Sequence, residues 1–182
     1  GSREYVNKLT APFSDRIRHN TSVKSITRHQ NSVSVYLNNG QSEHFDQVFI
    51  ATHSDQALSM LNDASKDERE ILGAIPYQKN EAILHTDESV LPDRRLAWAA
   101  WNYHILPHTQ DRVALTYNMN ILQGLDAESQ FCVTLNNSDA INPDRIIKQM
   151  DYDHPVFTPA GVKAQKRQSE INGINRTYFC GA

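Results

Sequence analysis

The chain has 182 residues, 39% of them hydrophobic and 21% charged, with a formal net charge of −3; that length suffices for one domain with a core or for two small lobes. The charge balance argues against a nucleic-acid footprint and a polybasic membrane patch, and no apolar run approaches the roughly 20 residues that span a bilayer. Cys132 and Cys180 are too few for a disulfide framework or a zinc site and suit a reducing cytoplasm.

Residues 2–9 read as a short helix with Ser2 as N-cap, Tyr5, Val6 and Leu9 on one face, and Pro12 closing it. Three strands follow, over 21–28, 32–37 and 41–51. Val33, Val35 and Leu37 alternate with Ser32, Ser34 and Tyr36, which is the period of a half-buried strand. Asn39-Gly40 is a hairpin signal because both residues tolerate positive φ. The third strand ends in Val48-Phe49-Ile50-Ala51, a continuous apolar run of the kind buried on both faces. Ser54 is placed to cap a helix carrying Ala57, Leu58 and Leu61. Ser65-Lys66-Asp67-Glu68 is a capping box opening another helix, with Gly73 and Pro76 at its end. From Glu81 the pattern becomes a meander, with strands over 81–86, 96–103, 112–121 and 130–136. Asn142-Pro143 opens a predicted helix with Ile146, Ile147 and Met150 as its stripe. A helix over 160–171, Gly173 and a terminal strand complete the chain.

These elements predict an α+β fold: a small three-stranded β unit plus a mixed or antiparallel sheet with flanking helices. The expected division is 1–52, 53–175 and 176–182, the last strand returning to the first region. Gly1-Ser2 leads directly into a helix, and Arg176–Ala182 reads as a strand running into a glycine turn. The chain therefore reads as a piece of a larger protein. Its seven glycines include no pair spaced for G-x-G-x-x-G or a P-loop, the arrangement that brings backbone N–H groups close to a pyrophosphate.

Trp101 and Tyr103 share one face of a strand, with Trp98 on the other. An aromatic wall suits an apolar substrate cavity, and ordinary sheet core is the competing reading. His85, within an apolar strand, and His104, after the aromatic cluster, are each placed either for substrate contact and base catalysis or for a structural hydrogen bond. Asp151-Tyr152-Asp153-His154 is a metal-like cluster whose neighbouring prolines favour a loop. No carboxylate pair, Cys/His dyad or metal-ligand spacing stands out.

Four stretches carry a family resemblance: Gly1–Leu9; Val23-Lys24-Ser25-Ile26 with Val33-Ser34-Val35, Gly40 and Phe45–Thr52; Leu84-His85-Thr86-Asp87 with Pro92 and Trp101-Asn102-Tyr103; and Tyr178–Ala182. Their order resembles the middle of flavin-dependent amine oxidases, in the branch with phytoene desaturase, protoporphyrinogen oxidase and bacterial NAD/FAD-binding relatives. The resemblance implies a substrate-binding, flavin-covering part of an oxidoreductase that moves hydride from a hydrophobic small molecule to FAD. It implies FAD in a full-length parent and none bound by this chain alone, whose missing flavin domain is its partner. It places Val23 on the adenine side, Ala51 and Thr52 near the flavin edge, Gly181 and Ala182 in the turn preceding the ribityl and pyrophosphate contacts, and Trp101, Tyr103 and His85 at the substrate. A dimer through the exposed domain surface is a further expectation, and an independent ligand-binding or protein-interaction α+β module is the alternative. The cofactor would carry the redox chemistry, which accounts for the lack of a catalytic constellation.

Overall fold

The computed structural model describes residues 2–107 and 112–181. In chain order the elements are α1 (Ser2–Thr10), β1 (Val23–Arg28), β2 (Val33–Leu37), β3 (Ser42–Phe45), β4 (Val48–Ile50), α2 (Ser54–Met60), α3 (Lys66–Leu72) and β5 (Tyr77–His85). There follow β6 (Trp101–Tyr103), β7 (Leu115–Asn118), α4 (Met119–Gln123), β8 (Cys132–Leu135), β9 (Ile146–Pro155), α5 (Pro159–Gln165) and β10 (Thr177–Phe179). They divide into two units, one built from the chain up to Pro76 and from Phe157 onward, the other from Tyr77–Val156. The fold is α+β, as the element pattern predicts. Among the described residues no helix is long and apolar enough to cross a membrane.

In the first unit β1, β2 and β3 form an antiparallel sheet in that order. Gly40 takes φ +88° at the predicted hairpin, a conformation that costs glycine little. The predicted strand over 41–51 is two strands. β3 stays with β2, while β4 leaves to pair in parallel with β10, Val48 opposite Thr177 and Ile50 opposite Phe179. Burial of the run 48–51 is one-sided: Ile50 is in the core, and Phe49 is 66% exposed and stacked on Tyr178 at 4.6 Å. Ile26, Val33, Ile50, Leu61, Ile71 and Phe179 belong to a single core. α2, α3 and α5 pack here, so residues 53–76 and 157–175 group with the three-stranded sheet, whereas the expected division set them with the later strands.

The capping box is present in full: Ser65 Oγ accepts from the Glu68 N–H at 3.1 Å, and a Glu68 carboxylate oxygen accepts from the Ser65 N–H at 2.7 Å. The same buried carboxylate receives two hydrogen bonds from Arg28, at 2.7 and 2.8 Å, while Arg28 Nε donates to Asp63 at 2.8 Å. Burial alone would push Glu68 toward neutrality, but the Arg28 guanidinium and the Ser65 cap hold it below the usual carboxylate range.

The second unit is a five-stranded antiparallel sheet in the order β6-β7-β8-β5-β9. β9 corrects the predicted helix after Asn142, which amounts to one 3-10 turn over Pro143–Arg145. The spacing of Ile146, Ile147 and Met150 suits a helix, but nine residues of β5 pair with this segment, and the ladder overrides the local pattern. Asp151–His154, predicted as a loop, lies inside the same strand, with Asp151 paired to Lys79 at 2.8 Å. β7 also ends earlier than predicted, because Asn118 accepts from the Ile121 N–H and starts α4.

Candidate functional site

In the first unit the C-terminal ends of β4 and β10 lie side by side, since parallel pairing aligns them and Cys180 N–H donates to Ile50 O at 3.0 Å. Two expected site residues, Thr52 and Gly181, thereby meet, with Ala51 exposed just before Thr52; Ala182 lies outside the described residues. A Cβ on Gly181 would fall 1.8 Å from the Thr52 carbonyl oxygen, so only glycine allows this approach of the two backbones. The strand ends open onto a cavity of about 260 Å³ whose lining includes Ile50, Thr52, Ser54, Gln168, Phe179 and Gly181. Ser54, expected to cap α2, is instead its first residue, with His53 in the cap position, and Gln168 carries no sequence signal beyond a polar helix position. The outer edge of a parallel pair, at the carboxyl ends of its strands, is where open α/β sheets place ligands.

Val23 lines a different feature of the same unit. With Arg16, Arg18, Thr21, Glu43 and Phe45 it borders a groove of about 550 Å³. Arg18 and Glu43 form an ion pair at its rim, which holds the Glu43 carboxyl low.

The sheet of the second unit has two unlike faces, assigned from the register. One carries Trp101, Tyr117, Val133 and Leu84 in one row and Tyr103, Leu115, Leu135, Ala82 and Met150 in the next. Trp101 and Tyr103 are 62% and 65% exposed, and Trp101 meets Tyr117 edge-on at 5.2 Å. Sheet core, the competing reading for these two rings, is not where they lie.

The opposite face is buried and mostly polar, and it holds Asn102, Thr116, Asn118, Thr134 and His85 together with Cys132 and Ile83. His85 therefore departs from the substrate contact expected of it. Its ring has no exposed surface; Nε2 meets Thr134 Oγ1 at 2.7 Å and Nδ1 accepts from the Asp87 N–H at 3.1 Å. Burial lowers the affinity of His85 for a proton, against a smaller opposing pull from Asp87. His104 meets Thr116 Oγ1 at 2.7 Å and is likewise shifted downward by burial. Burial pushes the Cys132 thiol up to about 11, which leaves it protonated and unreactive. Among the described residues no group of three or more His, Cys, Asp or Glu side chains could hold a metal ion.

The family pattern of flavin containing amine oxidoreductases matches residues 1–112. A comparison with curated proteins gave no match. Among solved structures, a CLA-producing fatty acid isomerase from P. acnes is similar, with a TM-score of 0.60 at 15% identity over 96% of this chain and 45% of that one. A putrescine oxidase bound to putrescine gives 0.63 at 7% identity over 100% of this chain and 47% of its own. Cyclohexylamine oxidase from Brevibacterium oxydans IH-35A gives 0.61 at 12% identity over 95% and 45%. These likenesses establish a shared fold, and the chain spans less than half the length of each.

Proposed function

We propose a function that starts from kinship, for this chain belongs to the flavin containing amine oxidoreductase family. In the whole protein, we infer, it supplies one side of an FAD site and the apolar wall of a substrate cavity, and a hydrophobic small molecule is oxidised there. When bound, the flavin accepts the hydride. The residues at the strand ends fit such a group on one side: the Gly181–Thr52 contact leaves no side chain between the backbones, and the cavity beside them is largely apolar in its lining. The sequence carries no glycine-rich phosphate loop, so the pyrophosphate grip falls to another segment. Ala51, Thr52 and Gly181 would pack against the flavin edge, and Val23, in the groove beside Arg18, would border the adenine end.

The observation that carries this reading is the convergence of Thr52 and Gly181, 129 positions apart, at the carboxyl ends of two parallel strands. Trp101, Tyr103 and Tyr117 would exclude water and orient an apolar substrate by stacking. His85 is left out of that contact by its burial. The putrescine oxidase and cyclohexylamine oxidase structures make amines the first substrates to assay, and the fatty acid isomerase adds fatty acids. The open face of the β4–β10 pair, with Phe49 outermost, is the surface on which the flavin domain, or a second copy of the chain, would pack. Two free cysteines agree with a cytoplasmic setting.

Co-expression of this chain with the flavin domain tests the reading: a yellow complex that bleaches when an amine is added supports it. A colourless complex that binds the same amines would favour the non-catalytic binding module.

A further inference from the structure

Three strands of the second unit contribute to a row of side chains joined end to end. The Asp87 N–H lies 3.1 Å from His85 Nδ1, His85 Nε2 lies 2.7 Å from Thr134 Oγ1, and Thr134 Oγ1 lies 2.8 Å from Thr116 Oγ1. Thr116 Oγ1 then lies 2.7 Å from His104 Nε2. His85, Thr116 and Thr134 are within 1% of full burial, so each contact must hold one proton, two donors cannot face each other without loss, and each hydroxyl proton must find an acceptor, which the row offers to Thr116 and Thr134.

A backbone N–H can only donate, and this fixes the whole row. His85 Nδ1 must accept, so its proton sits on Nε2 and is given to Thr134. The single Thr134 proton then goes to Thr116, and the single Thr116 proton goes to His104. His104 Nε2 accepts, which places the proton of the neutral ring on Nδ1.

We propose that this polarised chain, set in direction by the Asp87 N–H, holds His104 neutral, and that charging His104 loosens the end of β6, the edge strand that carries Trp101 and Tyr103. A charged His104 would turn Nε2 into a donor. Either Thr116 Oγ1 then accepts from both His104 and Thr134, which leaves its own buried proton without an acceptor, or Thr116 and Thr134 reverse and His85 must carry its proton on Nδ1, facing the Asp87 N–H. One buried hydrogen bond fails wherever the conflict falls. The edge strand is three residues long; beyond it His104 N–H bonds to Ala114 O at 3.0 Å, and besides the ladder the side-chain ties of this end to β7 are Asn102 Nδ2 to Thr116 O at 3.2 Å and the His104–Thr116 contact.

The charged surroundings are few. Asp87 acts on His85, and Asp87 and Glu88 both act on the neighbouring Cys132. Arg112 is exposed in the connection between β6 and β7; His108 and Asp111 of that connection lie outside the described residues. Burial alone moves His104. The inference concerns this unit only and does not depend on the flavin reading.

Ring-nitrogen chemical shifts of nitrogen-15 histidine in the full chain test it. At neutral pH, His85 is expected as the Nε2–H tautomer and His104 as the Nδ1–H tautomer, with His104 titrating below the ordinary 6.5. His85→Gln places at that position an amide that can turn over and offer either a donor or an acceptor to Thr134. It should raise the His104 midpoint by about one unit, the equivalent of one buried hydrogen bond. In the unaltered chain, amide exchange at Asn102 and His104 should accelerate as His104 charges. An Nε2–H tautomer at His104 or an Nδ1–H tautomer at His85 overturns the proposal, even if the variant does not fold. An unchanged midpoint in a folded variant overturns it as well.

Discussion

Gly181 meets the backbone of Thr52 with no room for a side chain: a Cβ there would stand 1.8 Å from the Thr52 carbonyl oxygen and 2.7 Å from its nitrogen. Backbone atoms on both sides cannot step aside as a flexible side chain would. Gly181→Ala should therefore push the ends of β4 and β10 apart and cost about 1–3 kcal/mol. Thermal unfolding of the variant measures this. In a flavin-loaded complex the same change should also weaken cofactor retention, read as faster loss of yellow colour on gel filtration.

The Arg28–Glu68 pair is a second point of sensitivity. Both side chains are 2% exposed, so removing Arg28 strands the Glu68 carboxylate, whereas removing Glu68 still leaves Arg28 paired with Asp63. Arg28→Ala should destabilise the first unit by about 3–5 kcal/mol, and Glu68→Ala by less. Urea denaturation at neutral pH measures the loss. Replacing Arg28 and Glu68 together by Met and Leu should be far milder, since no buried charge is left alone.

Acid should act in two steps. His85 and His104 bind protons less readily in the folded chain than their ordinary 6.5, so their contribution is complete above 6.5 and is lost as pH falls from there toward their folded values. Glu68 and Asp87 are also depressed, from 4.5 and 3.8. Their contribution is complete above those values and disappears as pH falls through the folded ones. Urea midpoints recorded against pH should show both declines, and His104→Gln should shrink the upper one while leaving the lower in place.

Trp101 and Tyr103 stand on the open sheet face, so truncating either should change stability little, within about 0.5 kcal/mol. Substrate binding should suffer instead. Steady-state kinetics of the flavin-loaded complex should show KM rising for Trp101→Ala and Tyr103→Ala with the unfolding midpoint unmoved.

Much of this was legible in the residues because it was local. Asn39-Gly40 marks its hairpin, and Ser65 with Glu68 marks its cap, each through chemistry contained in four residues. The closeness of Thr52 and Gly181 agrees with a resemblance that gives both a place beside the cofactor. What stayed hidden depends on partners far along the chain. Ile146, Ile147 and Met150 carry a helical spacing and become a strand because β5 pairs with them. Nothing near Arg28 indicates that Asp63 and Glu68 will bury it. His85 admits both a substrate contact and a structural hydrogen bond until Thr134, 49 positions away, closes over its ring nitrogen.

The visible absorption spectrum of this chain co-purified with its flavin domain tests the central claim most directly. The account predicts an oxidised-flavin band that is bleached by substrate and diminished by Gly181→Ala. A well-folded complex with no flavin band, after supply of FAD, would contradict it.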